Sequence, residues 1–113
     1  MNGYYFGTVT RDAQFLYLTT TGRKTGLPRE IEIWFVESDG RFYILAEHGY
    51  KAQWVQNILS NLRVNIRLAE KQSDGLARVL DPDKDDDVYL KARQLAHDKY
   101  GWGEGLPVEI RLV

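Results

Sequence analysis

A chain of 113 residues, 43% of them hydrophobic and 27% charged, has the size and composition of one compact globular domain, which excludes a disordered or collagen-like chain. Its 15 Lys and Arg against 16 Asp and Glu leave a net charge of -1, so any attraction to an anion or nucleic acid must be local. With no cysteine there is no disulfide framework, no thiolate nucleophile and no cysteine-ligated zinc.

Residues 1–7 carry neither the basic flank nor the apolar stretch of a secretory signal, and no apolar run approaches the roughly 18 residues of a spanning helix. A cytoplasmic location is the expectation. The first strand is Phe15 to Thr21, aromatic and β-branched on both alternating faces, which reads as a strand buried on both sides. A turn over Gly22 to Pro28 follows. From Arg29 onward Ile31, Ile33 and Phe35 share one face and Glu30, Glu32 and Trp34 the other, and Asp39-Gly40 offers a tight hairpin into a return strand over Arg41 to Ala46.

Glu47 to Ala52 reads as a loop. Trp54, Val55, Ile58, Leu59 and Leu62 then recur at the spacing of an amphipathic helix, with Gln53, Gln56, Asn57 and Ser60 on its other face. Val64, Ile66 and Leu68 alternate as a half-buried strand, Glu70 to Gly75 reads as a polar turn, and Leu76 to Leu80 as a shorter strand. Five aspartates between Asp81 and Asp87 precede a helix that runs to about Tyr100, with Val88, Ala92, Leu95 and Ala96 inward. Gly101-Trp102-Gly103 breaks that helix before a last strand carrying Val108, Ile110 and Leu112. Six strands and two helices around one core predict an α+β, antiparallel barrel architecture.

The stretch with most chemistry is Thr19 to Arg29, where Arg23, Lys24 and Arg29 fall within seven residues and no acid occurs between Ala13 and Arg29. Gly22 and Gly26 let backbone N–H groups turn toward a ligand, arginine supplies a planar fork for phosphate or carboxylate oxygens, and lysine a point charge. The same composition also suits an exposed hairpin turn. His48 and His97 lack metal-ligand spacing, and the aspartate run lacks the glycine and terminal glutamate of a calcium loop, so no metal site is expected.

Leu18 to Arg29, the Asp39-Gly40 hairpin, Ala46 to Gly49, and Trp54, Asn57, Leu59, Asn61 and Val64 together resemble the deazaflavin-dependent nitroreductases, split-barrel proteins related to pyridoxamine phosphate oxidases. The resemblance implies a six-stranded antiparallel split barrel with two helices that forms a homodimer and binds coenzyme F420, or FMN in some relatives. It further implies that Arg23, Lys24, Thr25 and Arg29 form the phosphate-side turn and that Ala46, Glu47, His48 and Gly49 form the loop beside the ring system. Trp54 and Asn57 correspond to the helix start beside the coenzyme, and Tyr100 with Trp102 to an aromatic cover. Glu47-His48 stands where relatives often carry Ser-Lys, and only about fourteen residues precede the first strand where many relatives have a longer N-terminal helix.

The expected activity is therefore hydride transfer from a reduced deazaflavin to a small unsaturated or nitro-type acceptor, with the cofactor carrying the chemistry. The competing readings are a non-catalytic barrel that carries a flavin-like or haem-like ligand, and a nucleic-acid-binding barrel, which the near-neutral charge disfavours.

Overall fold

A computed structural model describes residues 13–113. Residues 1–7, and the length of chain ahead of the first strand, lie outside the described residues. Seven strands form one antiparallel sheet: β1 (Phe15–Thr21), β2 (Pro28–Trp34), β3 (Val36–Ser38), β4 (Arg41–Ala46), β5 (Arg63–Leu68), β6 (Lys71–Val79) and β7 (Leu106–Leu112). Two helices accompany it, α1 (Gln53–Ser60) and α2 (Asp86–Tyr100), with a short 3-10 turn over Gly49–Lys51. No described helix is long and apolar enough to cross a membrane.

The spatial order is β2-β1-β5-β6-β7-β4-β3. Its two end strands, β2 and β3, are consecutive in sequence and separated by Phe35 alone. The sheet is thus an open, curled half-barrel whose ends are joined by one residue. That arrangement corrects the six-strand expectation: the stretch from Arg29 to the hairpin breaks at Phe35 because β2 pairs with β1 and β3 with β4, at opposite ends of the sheet. The Asp39-Gly40 hairpin is as predicted, with both residues at positive φ (54° and 78°), the conformation that matches the right-handed twist of the flanking strands.

Leu16 and Leu18 of β1, Ile44 of β4, Val64 and Ile66 of β5, and Val108 and Ile110 of β7 fill the inside of the curl, and Val55 and Ile58 of α1 pack against them. A second cluster lies between the outer face and α2, where Val36, Tyr43 and Leu45 meet Leu80, Ala92 and Ala96. The strands buried on both sides are consequently β4 and β7, not β1 as the composition predicted. α2 covers β4, whereas nothing among the described residues covers the outer positions of β1 to that degree, and Phe15 remains 39% exposed.

The predicted polar turn Glu70 to Gly75 is also corrected, since Lys71 to Gly75 belong to β6. Ala69 and Glu70 make the whole reversal at φ 48° and 68°, and the polar side chains beyond it bond across the ladder, Gln72 and Asp74 both to Asn65. Gly75 stands in mid-strand because a Cβ there would lie 2.9 Å from the Ile110 side chain on β7.

The aspartate run starts α2 as expected. The Asp81 carboxylate accepts the N–H groups of Asp83 and Lys84, and that of Asp85 accepts the N–H of Asp81, so backbone donors hold both carboxyls below the ordinary aspartate range. Under α2, Glu109 is buried and receives the Tyr43 hydroxyl at 2.9 Å, with Arg41 at 3.1 Å and Arg78 at 3.3 Å. Burial, then the bond to Glu109, pushes Tyr43 up to about 12. Because the folded value exceeds that of the unfolded chain, the stability this phenol contributes is complete below about pH 10 and is lost as pH rises through its folded value. Denaturation measured from pH 9 to 12, with phenolate absorbance followed in parallel, is expected to show a late-titrating tyrosine coupled to unfolding that Tyr43→Phe removes. An unchanged titration in that variant would exclude Tyr43 as its source.

Candidate functional site

The β1–β2 connection closes on itself. Gly22 N–H donates to the Leu27 carbonyl at 2.8 Å and Gly26 N–H to the Gly22 carbonyl at 2.7 Å, while Gly26 takes φ 75°. A Cβ on Gly22 would stand 3.0 Å from Thr25 Oγ1 and 3.1 Å from the Leu27 carbonyl, so the turn is this compact only with glycine there. Compactness places Arg23, Lys24 and Arg29 at one end of the β1–β2 hairpin, against the first turns of α1.

Asn57 fastens the two together. Helical periodicity predicts it off the apolar face, yet it is 5% exposed. Its Oδ1 accepts the Arg23 backbone N–H at 3.2 Å and Arg23 Nη1 at 2.9 Å, and its Nδ2 donates to Thr20 Oγ1 at 3.1 Å. Arg23 Nη2 reaches Gln53 Oε1 at 2.8 Å. The Arg23 guanidinium is therefore held by neutral amides, with its positive charge not cancelled by a carboxylate. Arg29 Nη2 lies 3.4 Å from Thr25 Oγ1. Neither Arg23, Lys24 nor Arg29 has an ion-pair partner among the described residues, and the nearby acid Glu30 is bonded to Arg67 at 3.3 Å.

These side chains line a cleft of about 610 Å³ together with Thr25, Trp54 and Asn57. Ala52 caps α1 without a side-chain hydrogen bond and no acid sits in its first turn, leaving the N–H groups at that end without a side-chain cap. Three cations and a helix N-terminus together concentrate positive potential in one cleft of a chain whose net charge is close to zero, the electrostatics that suit an anion.

Trp54 is also one wall of a second cleft, of about 630 Å³. Trp34 and Trp102 line it with Trp54, so all three tryptophans of the chain meet there, joined by Glu32, Glu47 and His48. Trp34 is braced from behind by Tyr100, ring centroids 4.3 Å apart and planes within 3°. The Tyr100 hydroxyl accepts the Phe35 N–H at 3.0 Å and lies 2.6 and 2.7 Å from the carbonyls of Gln14 and Phe35, to one of which it donates.

Of the residues singled out in the sequence, Arg23, Lys24, Thr25, Arg29, Trp54 and Asn57 thus share the first cleft, and Glu47, His48 and Trp54 the second. Ala46 is buried at the end of β4, Gly49 opens the 3-10 turn at φ 59°, and Tyr100 stands behind Trp34; none of these three lines either cleft. Local sequence patterns assign neither Thr20, Glu32 nor Trp34 to a ligand site, whereas Trp102, which the sequence pairs with Tyr100 as an aromatic cover, does line the second cleft. Alternation along β2 does put Glu32 and Trp34 on one face, but their meeting with Trp54 and Trp102 depends on the curl of the sheet.

A family model described as F420H(2)-dependent quinone reductase matches residues 1–110. Among solved structures, an F420-H2-dependent reductase superposes with a TM-score of 0.67 at 24% identity, over 89% of this chain and 95% of that one. An FAD-binding protein from Mesorhizobium loti gives 0.74 at 16% identity, over 97% and 88%. The haem storage protein of Vibrio cholerae gives 0.69 at 17% identity, over 96% and 84%. At these identities the three likenesses concern the fold.

Proposed function

Because the chain belongs to the F420H(2)-dependent quinone reductase family, within the split-barrel flavin-binding superfamily, we propose that it is an oxidoreductase that passes a hydride from reduced coenzyme F420 to a small quinone, unsaturated or nitro-type acceptor. FMN is the alternative cofactor. The observation that carries the reading is the pairing of clefts: three cations without acidic partners among the described residues converge on one, and Trp54 lines both it and an aromatic one. This donor set fits a flat, phosphorylated cofactor, with Lys24 and Arg29 free to reach phosphate oxygens and Arg23 fixed by Asn57 and Gln53.

When bound, the reduced deazaflavin supplies the hydride. The protein supplies position: Arg23, Lys24 and Arg29 hold the anionic end, Trp54 borders the ring, and Trp34 and Trp102 exclude water from the acceptor side. Ala46 and Gly49 shape the loop that carries Glu47 and His48, and Tyr100 acts at one remove by backing Trp34. We read the protein as cytoplasmic and its working form as a homodimer, the latter since Leu59 and Leu62 are each about half exposed on so small a domain.

The test is a visible absorbance titration of the purified protein against F420 and FMN, followed by turnover of reduced F420 with a quinone or nitroaromatic acceptor. Saturable F420 binding and acceptor-dependent oxidation are expected, with a dimer in sedimentation of the same sample. Binding without turnover would favour a carrier, the reading that the fold shared with a haem storage protein keeps in play. Binding of neither cofactor would overturn the proposal.

A further inference from the structure

The two clefts differ in charge. Among the described residues, no lysine or arginine lines the aromatic cleft, whereas Glu32 and Glu47 do, with His48 beside them. Glu47 has no ion-pair partner among the described residues. Glu32 stands opposite Tyr17 in the ladder and accepts its hydroxyl, a neutral partner that leaves the carboxylate charge in place, while Arg67 lies over the Tyr17 ring at 4.1 Å and is bonded to Glu30 at 3.3 Å. Two carboxylates therefore sit at a cleft walled by Trp34, Trp54 and Trp102, and Trp34 presents a fixed ring face because Tyr100 stacks behind it. Indole faces attract cations through their quadrupole, and adjacent carboxylates add to that attraction.

We propose that this cleft receives the acceptor and selects planar rings that carry positive charge, such as quaternised nitrogen heterocycles, over neutral rings and strongly over anionic ones. The inference rests on the preceding reading for its redox step, though not for its binding step. In that step a cationic acceptor gains one hydride, that is two electrons and one proton, and becomes neutral. The two-electron-reduced deazaflavin is oxidised, and the second proton it gives up passes to solvent. Reduction cancels the charge that the carboxylates and indoles recognised, so the product is held less tightly than the substrate and leaves the cleft to the next acceptor.

Three ligands of one ring system test the charge dependence: N-methylphenazinium (cation), phenazine (neutral) and phenazine-1-carboxylate (anion), each titrated by quenching of tryptophan fluorescence in the full chain. The expected order is cation, neutral, anion, with the cation about tenfold or more tighter than the anion at low salt and the gap narrowing as salt is added. Glu32→Gln combined with Glu47→Gln should remove most of that gap, whereas Asp83→Asn, in the acidic start of α2, should leave it intact. Should the double variant fold poorly, Glu47→Gln alone, at an exposed loop position, should narrow the gap in part. Equal affinity for cation and anion, or a preference untouched by the glutamine variants, overturns the inference. F420 affinity measured on the same samples separates the two readings. Cofactor binding without charge preference removes only this inference, and charge preference without cofactor binding removes only the oxidoreductase reading.

Discussion

Lys24→Ala and Arg29→Ala are each expected to weaken F420 binding by about ten- to more than a hundredfold, as loss of a hydrogen bond to a charged group costs roughly 1.5–3 kcal/mol. Both side chains line the first cleft without an acidic partner among the described residues. They have no structural bond to sacrifice beyond the long contact of Arg29 with Thr25, so the folded state should tolerate either change. Arg23 differs, because its guanidinium is tied to Asn57 and Gln53, and its removal would loosen the turn as well as subtract charge. Lys91→Ala serves as the control. That lysine is exposed and pairs at the surface with Asp39 at 3.3 Å, so its loss should leave affinity within error. Absorbance titration gives all three constants. If both turn variants bound as tightly as the parent, the turn would be an ordinary charged hairpin and the anion site would lie elsewhere.

Gly103→Ala should be the most damaging single methyl among the described glycines. A Cβ at this position would overlap the Arg93 carbonyl oxygen and lie 3.1 Å from both the Arg93 carbonyl carbon and the His97 nitrogen, all of them backbone atoms of α2. Backbone cannot rotate away as a side chain can. The Arg93 side chain also clasps the same segment, donating to the carbonyls of Glu104 at 2.7 Å and Gly105 at 3.1 Å, so the loop cannot simply lift off the helix. Overpacking of this kind costs roughly 2–3 kcal/mol, which for a domain of this size lowers Tm by about 10–20 °C. Gly101→Asn, at φ 76° in open space after the helix, should cost far less because asparagine tolerates the left-handed region. Thermal melts of the two variants decide the point. A Gly103→Ala protein melting within 2–3 °C of the parent, roughly half a kcal/mol on the same scale, would mean that the loop relaxes freely.

What the sequence reveals and what it hides divides along the range of the interactions. The turn from Gly22 to Arg29 was legible because its glycines, cations and lack of acids all lie within a few residues. The same holds for the Asp39-Gly40 hairpin and for the aspartates that start α2. Asn57 lies off the apolar face of its helix, where the sequence allows it either a ligand or a neighbouring loop, and only its bonds to Arg23 and Thr20, 34 and 37 residues earlier, show the loop as its partner and account for its burial. The break at Phe35 was hidden for a related reason: alternation continues through it, and only the pairing of β2 and β3 with opposite ends of the sheet separates them. At Ala69-Glu70 the local signal was misleading, since neither residue is a usual choice for positive φ and Gly75 nearby looked like the turn. The aromatic cleft was half visible. Trp34, Trp54, Trp102 and Glu47 could each be noticed, but nothing local says that they face one another.

The join at Phe35 also sets how this protein can open. Its N–H is bonded to the hydroxyl of Tyr100, 65 residues further along the chain, so its hydrogen-exchange rate reports the docking of one phenol and not the melting of the sheet. The Lys99 ammonium bonds the Phe35 carbonyl at 3.1 Å and sits 4.0 Å from the Phe35 ring, so the last turn of α2 grips the join from both ends of one residue. Undocking of that turn would release the join and, in the same motion, take the support from behind Trp34. A partial opening of this kind leaves the strand ladders intact. It also makes the wall of the aromatic cleft only as rigid as the end of a helix that lines neither cleft.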